Sequence, residues 1–337
     1  MKKIKIIGIG GTISAIHTNK GFKPGVSIKS LLSYIPRVTE FYEIDMEQIM
    51  NVDSANLQPE DWEFMAKKIS DSLNDVTVHG IVVTHGTDTM ALSAAAMSIL
   101  IRDINKPVVF TGSQIPLQIF ASDAQRNLID SIRVAGETDI AEAVIVFNSR
   151  IYRGCRTLKL REYDLSAFET VDPFPIGEIS RQINIINPFV RKRNSAKSYI
   201  DGNFIPKVAL VKIFPGMEPK LLEELPNFGY KGIVLEGYGA GNIPIEKRSL
   251  VEAINSLREN NIPVIITSVC IFGKTELFLY ETGQLAQEAG AISGFDMISE
   301  VAMIKLMWVL SKASELDNIE ELMHKNLAGE INQTGDN

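Results

Sequence analysis

Cysteine is scarce in this chain. Its two examples among 337 residues, Cys155 and Cys270, are too few and too widely separated for a disulfide framework or a four-thiolate zinc site. Histidine is nearly as sparse, and His79 and His85 stand at no metal-ligand spacing with acidic or thiol partners, so no metal is expected. Long apolar runs are missing. The longest are about six or seven residues, against roughly 20 needed to cross a bilayer, so no membrane partner is expected. Positive charge is not in excess either. Lys and Arg number 34 against 41 Asp and Glu, a net charge of −7, which leaves no basic face able to follow a phosphate backbone. A nucleic-acid partner is therefore not expected.

What is present is the profile of a globular protein, with 45% hydrophobic and 22% charged residues. At roughly 150 residues per domain, the length suggests about two domains. Met1-Lys2-Lys3 before an apolar stretch has the start of a secretory signal. However, Lys5, Gly8, Gly10 and Gly11 interrupt that stretch, so a buried first strand and a cytoplasmic location are expected.

Short runs rich in β-branched residues recur at Ile4–Ile9, Gly80–Thr84, Val108–Thr111, Ala143–Phe147, Val208–Phe214, Ile233–Leu235 and Val264–Val269. Their continuous apolar character, without alternation, predicts strands buried on both faces of a parallel sheet. Helical patterns lie between them. Pro59, followed by Glu60 and Asp61, opens one that runs to about Leu73. Met90–Ile101 is almost uncharged and predicts a helix buried on most sides. Ser122–Val134, Glu246–Glu259 and Met297–Leu310 complete the rhythm. The class is α/β, with two doubly wound domains of mainly parallel sheet: a larger flavodoxin- or Rossmann-like N-terminal domain and a smaller C-terminal one. The polar, basic stretch around Arg191-Lys192-Arg193 has no apolar period and is taken as a linker. The expected division is 1–187, linker 188–204, and 205–337.

Three motifs close successive strands: Gly10-Gly11-Thr12-Ile13, Thr84-His85-Gly86-Thr87-Asp88-Thr89 and Thr111-Gly112-Ser113-Gln114. In an open parallel sheet the carboxyl ends of the strands share one edge, where ligands bind. The first motif lacks the third glycine of a dinucleotide fingerprint, and no Gly-Lys-Ser/Thr of a phosphate loop follows it. Read alone, Gly10-Gly11-Thr12 is a tight turn, Asp88 a helix cap before Thr89-Met90-Ala91, and Lys159 a surface ion pair.

Together these motifs resemble the bacterial-type L-asparaginase family. The resemblance extends through Ser122-Asp123-Ala124-Gln125-Arg126-Asn127-Leu128, Glu236-Gly237-Tyr238-Gly239-Ala240-Gly241-Asn242 and Asp296-Met297 to Lys305-Leu306, in order along nearly the whole chain. Gly294-Phe295-Asp296-Met297 and Asn326-Leu327-x-Gly329-Glu330 look most like the cytoplasmic type I branch.

The resemblance implies hydrolysis of L-asparagine to L-aspartate and ammonia through a threonine acyl-enzyme, in a homodimer or homotetramer. It implies Thr12 as nucleophile and Thr87, Asp88 and Lys159 as a proton-relay cluster. Asp88 is also expected to meet the substrate ammonium group, with Ser54 and Ala55 at its α-carboxylate. Asn242 and Glu281 are expected to approach from a neighbouring subunit. Gly21, Phe22 and Gly25 would form a lid hinged at its glycines. In this lid Phe22 replaces the family's tyrosine, and Ala55 stands where glutamine or serine is common. Leu158 replaces a polar residue near the effector site of type I relatives, and Cys270 reads as a buried small hydrophobe. Two other functions fit the same motifs: an asparaginase-like subunit of a tRNA-dependent amidotransferase, and a non-catalytic asparagine sensor.

Overall fold

The computed structural model describes residues 1–11, 15–18, 21–24 and 28–332, with the backbone alone at 15–18, 21–24 and 29. It divides into two compact units, Met1–Asp201 and Gly202–Asn337.

The first unit is built on an eight-stranded sheet. From one edge to the other its strands are Ile183–Ile185, Gly177–Ile179, Arg150–Arg153, Ala143–Phe147, Val108–Thr111, Val78–Thr84, Lys2–Gly10 and Tyr42–Val52. The last five are parallel to one another, while the first three join by antiparallel pairing. Numbered along the chain, the parallel strands lie in the order 2-1-3-4-5, the flavodoxin-like arrangement. The order reverses between Lys2–Gly10 and Val78–Thr84, so the crevice for a ligand opens at the carboxyl ends of these two strands.

The strand Tyr42–Val52 was not among the expected ones. It covers one edge of the sheet, and its outward Glu43, Asp45 and Glu47 face Lys3 and Lys5 of the neighbouring strand at 3.1–4.0 Å. Edge strands are wet on one side, so a continuous apolar run is not required of them. Pro59–Asn74 is a helix opened by a capping box between Gln58 and Asp61. Its Trp62, Met65, Ala66, Ile69 and Leu73 form one buried face. Met90–Leu100 is buried at every position except Leu92. The stretch expected as a linker is instead fastened to the first unit. Ala141 donates to the Arg191 carbonyl at 2.8 Å, Asn105 to that of Ala196 at 2.7 Å and Asn74 to that of Ser198 at 2.9 Å. Polar composition there reflects hydrogen bonding along a surface, not freedom from it, and the division falls at 201/202.

The second unit has a parallel sheet in the order Val208–Lys212, Gly232–Gly237, Val264–Ser268, Ile292–Ser293, with a core of its own around Leu235, Leu250, Ile254 and Ile266. The helices Glu281–Glu288 and Leu316–His324 add to those expected. Lys305 lies on the helix Ser299–Val309 with no exposed surface. Its ammonium donates to Glu330 Oε1 and to the Lys325 carbonyl, each at 2.7 Å. Glu330 in turn accepts the N–H groups of Leu327 and Ala328, which fastens the C-terminal turn. Burial disfavours the Glu330 charge, but Lys305 and these N–H groups hold its carboxyl below the usual range. Among the described residues no helix is long and apolar enough to cross a membrane.

Breaking a buried ion pair leaves a desolvated charge, which costs about 3–5 kcal/mol. Lys305→Met is therefore expected to lower unfolding stability by that amount in a urea titration, and a change below about 1 kcal/mol would contradict the assignment of Lys305–Glu330 as a structural lock.

Candidate active site

At the switch point three strand ends press backbone against backbone. Gly11 donates its N–H to Val52 at 3.2 Å and adopts φ +83°, a left-handed conformation that favours glycine. A Cβ there would overlap the backbone of Gly86, and a Cβ on Gly86 would lie 2.5 Å from Ser54 Oγ. The Gly-Gly and His-Gly pairs of the sequence are thus what lets these ends meet.

Ser54 starts a short 3-10 turn, Ser54–Asn56, in which Asp53 Oδ1 accepts the Ala55 N–H at 3.0 Å. Thr89 Oγ1 donates to the Ser54 carbonyl at 2.7 Å, tying this turn to the loop after Val78–Thr84. Ser54 is buried and Ala55 exposed.

Lys159 ends the strand Thr157–Lys159, which pairs antiparallel with Phe168–Thr170. Its ammonium donates to Thr87 Oγ1 at 2.9 Å and to Asp88 Oδ1 at 2.7 Å. Asp88 therefore does not cap the following helix, which carries no side-chain cap; the ammonium is the stronger partner for its charge. Nor is Lys159 an ordinary surface ion: its side chain is 16% exposed, against 63% for Asp88. The carboxylate faces outward, where a ligand can reach it.

Two further residues complete the cluster. Thr87 Oγ1 donates to Gln114 Oε1 at 3.2 Å, while Gln114 Nε2 donates to the carbonyls of Glu162 at 2.7 Å and Asp164 at 3.2 Å. Gln114 thereby links Thr87 to the turn that follows Lys159. Asp123 fixes that glutamine by accepting the N–H groups of Gln114 at 3.0 Å and Ile115 at 2.9 Å. His85 is wholly buried. Its Nδ1 lies 2.7 Å from the Gly86 carbonyl and its Nε2 2.9 Å from Ser93 Oγ, which also accepts the Trp62 indole N–H at 3.0 Å. Both residues stand inside the strand-end motifs, but only the fold reveals their partners.

The family described as "Asparaginase, N-terminal" matches residues 3–191, and "Glutaminase/Asparaginase C-terminal domain" matches residues 207–323. The chain belongs to the asparaginase family. Among its relatives, a glutamyl-tRNA(Gln) amidotransferase subunit from Methanopyrus kandleri is 33% identical, over 98% of this chain and 75% of that protein. The thermostable L-asparaginase from Thermococcus kodakarensis is also 33% identical, with a TM-score of 0.91 over 98% of this chain and 100% of that one. L-asparaginase I from Vibrio cholerae is 28% identical, with a TM-score of 0.87 over 98% and 99%.

Of the residues expected at an asparaginase-family site, the fold brings Thr87, Asp88 and Lys159 into one cluster and sets Ser54 and Ala55 on the adjoining turn. Thr12 and Gly25 lie outside the described residues. Gly21 and Phe22 belong to the strand Gly21–Pro24, which pairs with Ala15–Thr18 as a hairpin. Asn242 and Glu281 belong to the second unit. There Asn242 Oδ1 accepts the Thr282 hydroxyl at 2.9 Å, next to Glu281 at the start of Glu281–Glu288. Cys270 is exposed, not the buried hydrophobe expected, because it lies beyond the end of its strand in a turn. No group of three His, Cys, Asp or Glu side chains placed to hold a metal occurs among the described residues.

Burial pushes His85 down to about 4, so the ring is neutral at physiological pH. A depressed folded pKa contributes stability that is present above about 6.5 and lost as pH falls through about 4, here roughly 3 kcal/mol. Urea unfolding at pH 7.5 and pH 4 is expected to show wild type losing roughly that much more than His85→Asn. Equal losses in the two proteins would contradict the buried, neutral ring.

Proposed function

We propose that this chain is an amidohydrolase that releases ammonia from the side-chain amide of a free amino acid through a threonine ester. The observation that carries this reading is the Lys159 ammonium bonded to both Thr87 Oγ1 and Asp88 Oδ1 beside the switch point. Thr12 is the nucleophile, by match to the family motif. Its hydroxyl oxygen adds to the amide carbon, the C–N bond breaks, and ammonia leaves with the proton taken from the hydroxyl. Water then cleaves the ester and restores Thr12. A hydroxyl needs a proton acceptor to attack: Lys159 passes a proton to Asp88, and the amine so freed takes the hydroxyl proton by way of Thr87 and returns it to the leaving ammonia. Asp88 meets the substrate's ammonium group and Ser54 its carboxylate. No cofactor enters this chemistry.

Two finer readings divide this function. The names of the curated relatives favour a subunit of a tRNA-dependent amidotransferase, with glutamine as substrate and ammonia passed to a partner chain. The solved structures favour a cytoplasmic type I L-asparaginase that acts on asparagine; the family resemblance implies a homodimer or homotetramer for it. One methylene separates the two amides, worth only about 1–3 kcal/mol in a pocket, so residue chemistry alone does not divide them.

Ammonia release from asparagine and glutamine, measured in parallel for the purified chain, tests both readings. Turnover of asparagine by the chain alone supports the asparaginase. Glutamine turnover confined to a complex with a copurifying subunit supports the amidotransferase. Thr87→Val and Lys159→Met are expected to lower kcat by about 10²- to 10⁴-fold with the thermal midpoint kept. Folded variants with full turnover would defeat the proposed relay.

A further inference from the structure

The ring of His85 sits in a chain of hydrogen bonds whose directions are all fixed by what each partner can do. The Gly86 carbonyl only accepts, so Nδ1, 2.7 Å away, carries a proton. An indole N–H only donates, so Ser93 Oγ accepts from Trp62 at 3.0 Å and turns its own proton to His85 Nε2 at 2.9 Å. Every polar group in the row is satisfied by a single arrangement of protons.

That arrangement bears on Thr87. The Gly86 carbonyl and the Thr87 N–H belong to one peptide plane, and the chain has no cis peptide among its described residues. In a trans peptide the two groups point in opposite directions. Holding the carbonyl toward the buried ring therefore turns the Thr87 N–H away from the interior. Among the described residues that N–H has no acceptor. It lies beside the Thr87 hydroxyl that Lys159 holds at 2.9 Å.

We propose that His85 is a positioning residue. With its proton on Nδ1 it holds the Gly86 carbonyl inward and so aims the Thr87 N–H at the oxygen of the amide under attack. The proposal rests on the amidohydrolase reading above and extends it. As the Thr12 hydroxyl adds, negative charge gathers on that oxygen, and a preset donor stabilises it more in the transition state than in the bound substrate. The cost of losing the donor should fall on kcat and leave KM nearly untouched.

His85→Asn places an amide N–H close to where Nδ1–H stood, whereas His85→Leu offers no donor. His85→Leu is expected to lose about 10- to 100-fold in kcat, with KM within about twofold, and His85→Asn to recover most of that loss. Equal losses in two folded variants, or a loss carried by KM, would overturn the proposal. Where His85→Leu does not fold, Ser93→Ala, which frees the tautomer, is expected to lower kcat several-fold, and an unchanged kcat would overturn it. Independently of activity, ¹⁵N spectra of histidine-labelled wild type at pH 7 should show His85 protonated on Nδ1 alone. An Nε2–H or cationic ring in an active chain defeats the positioning assignment by itself. A wild-type chain that hydrolyses neither amide defeats the amidohydrolase reading as well.

Discussion

One lysine ammonium holds the candidate site together. Lys159 Nζ joins Thr87 and Asp88 across more than 70 residues of chain, and the rest of the first unit serves to bring it there. The flavodoxin-like strand order opens a crevice between Lys2–Gly10 and Val78–Thr84. Gly11 and Gly86 allow the two strand ends to touch, which sets the Thr87 loop at the mouth of that crevice. The antiparallel pairing of Thr157–Lys159 with Phe168–Thr170 delivers the lysine from outside the parallel sheet. Gln114 ties Thr87 to the turn beyond Lys159, and His85 fixes the peptide on the other side. The Thr87 hydroxyl is thus held by two groups, Lys159 and Gln114, and its backbone is set by a third, His85. Such preorganisation is what acid–base and electrostatic catalysis require of a scaffold.

The parallel sheets were legible because their strands are buried on both faces, and runs such as Val108–Thr111 and Ala143–Phe147 are apolar without interruption. Tyr42–Val52 escaped because its partners are lysines: Glu43, Asp45 and Glu47 make sense only beside Lys3 and Lys5, about 40 residues away. The stretch 188–201, expected as part of the linker 188–204, hides its bonds to the first unit for a related reason. Its polar side chains and carbonyls find distant hydrogen-bond partners, and composition carries no trace of them. Asp88 shows the limit at the site itself. Read alone, its position before a helix predicts a cap; the family resemblance implies the cluster with Lys159, and the fold brings the ammonium within 2.7 Å of it. Gln114 and His85 were visible as members of motifs, but their work lies in bonds to Thr87, Ser93 and the 161–164 turn, which no local pattern encodes.

Family membership accounts for the agreement between motif order and fold and leaves the fate of the ammonia open. Under the proposed function, the same Thr–Lys–Asp cluster would serve a protein that releases ammonia to solvent or one that hands it to a partner. In the proposed function the chemistry common to both is the threonine ester, and it makes the sharpest claim. Acid-quenching the wild-type chain during turnover of asparagine or glutamine and mapping its peptides by mass tests it directly. An aspartyl or glutamyl adduct is expected on the peptide that contains Thr12, and none on Thr12→Ala. An active chain whose adduct sits elsewhere, or whose Thr12→Ala variant keeps full turnover, would contradict it.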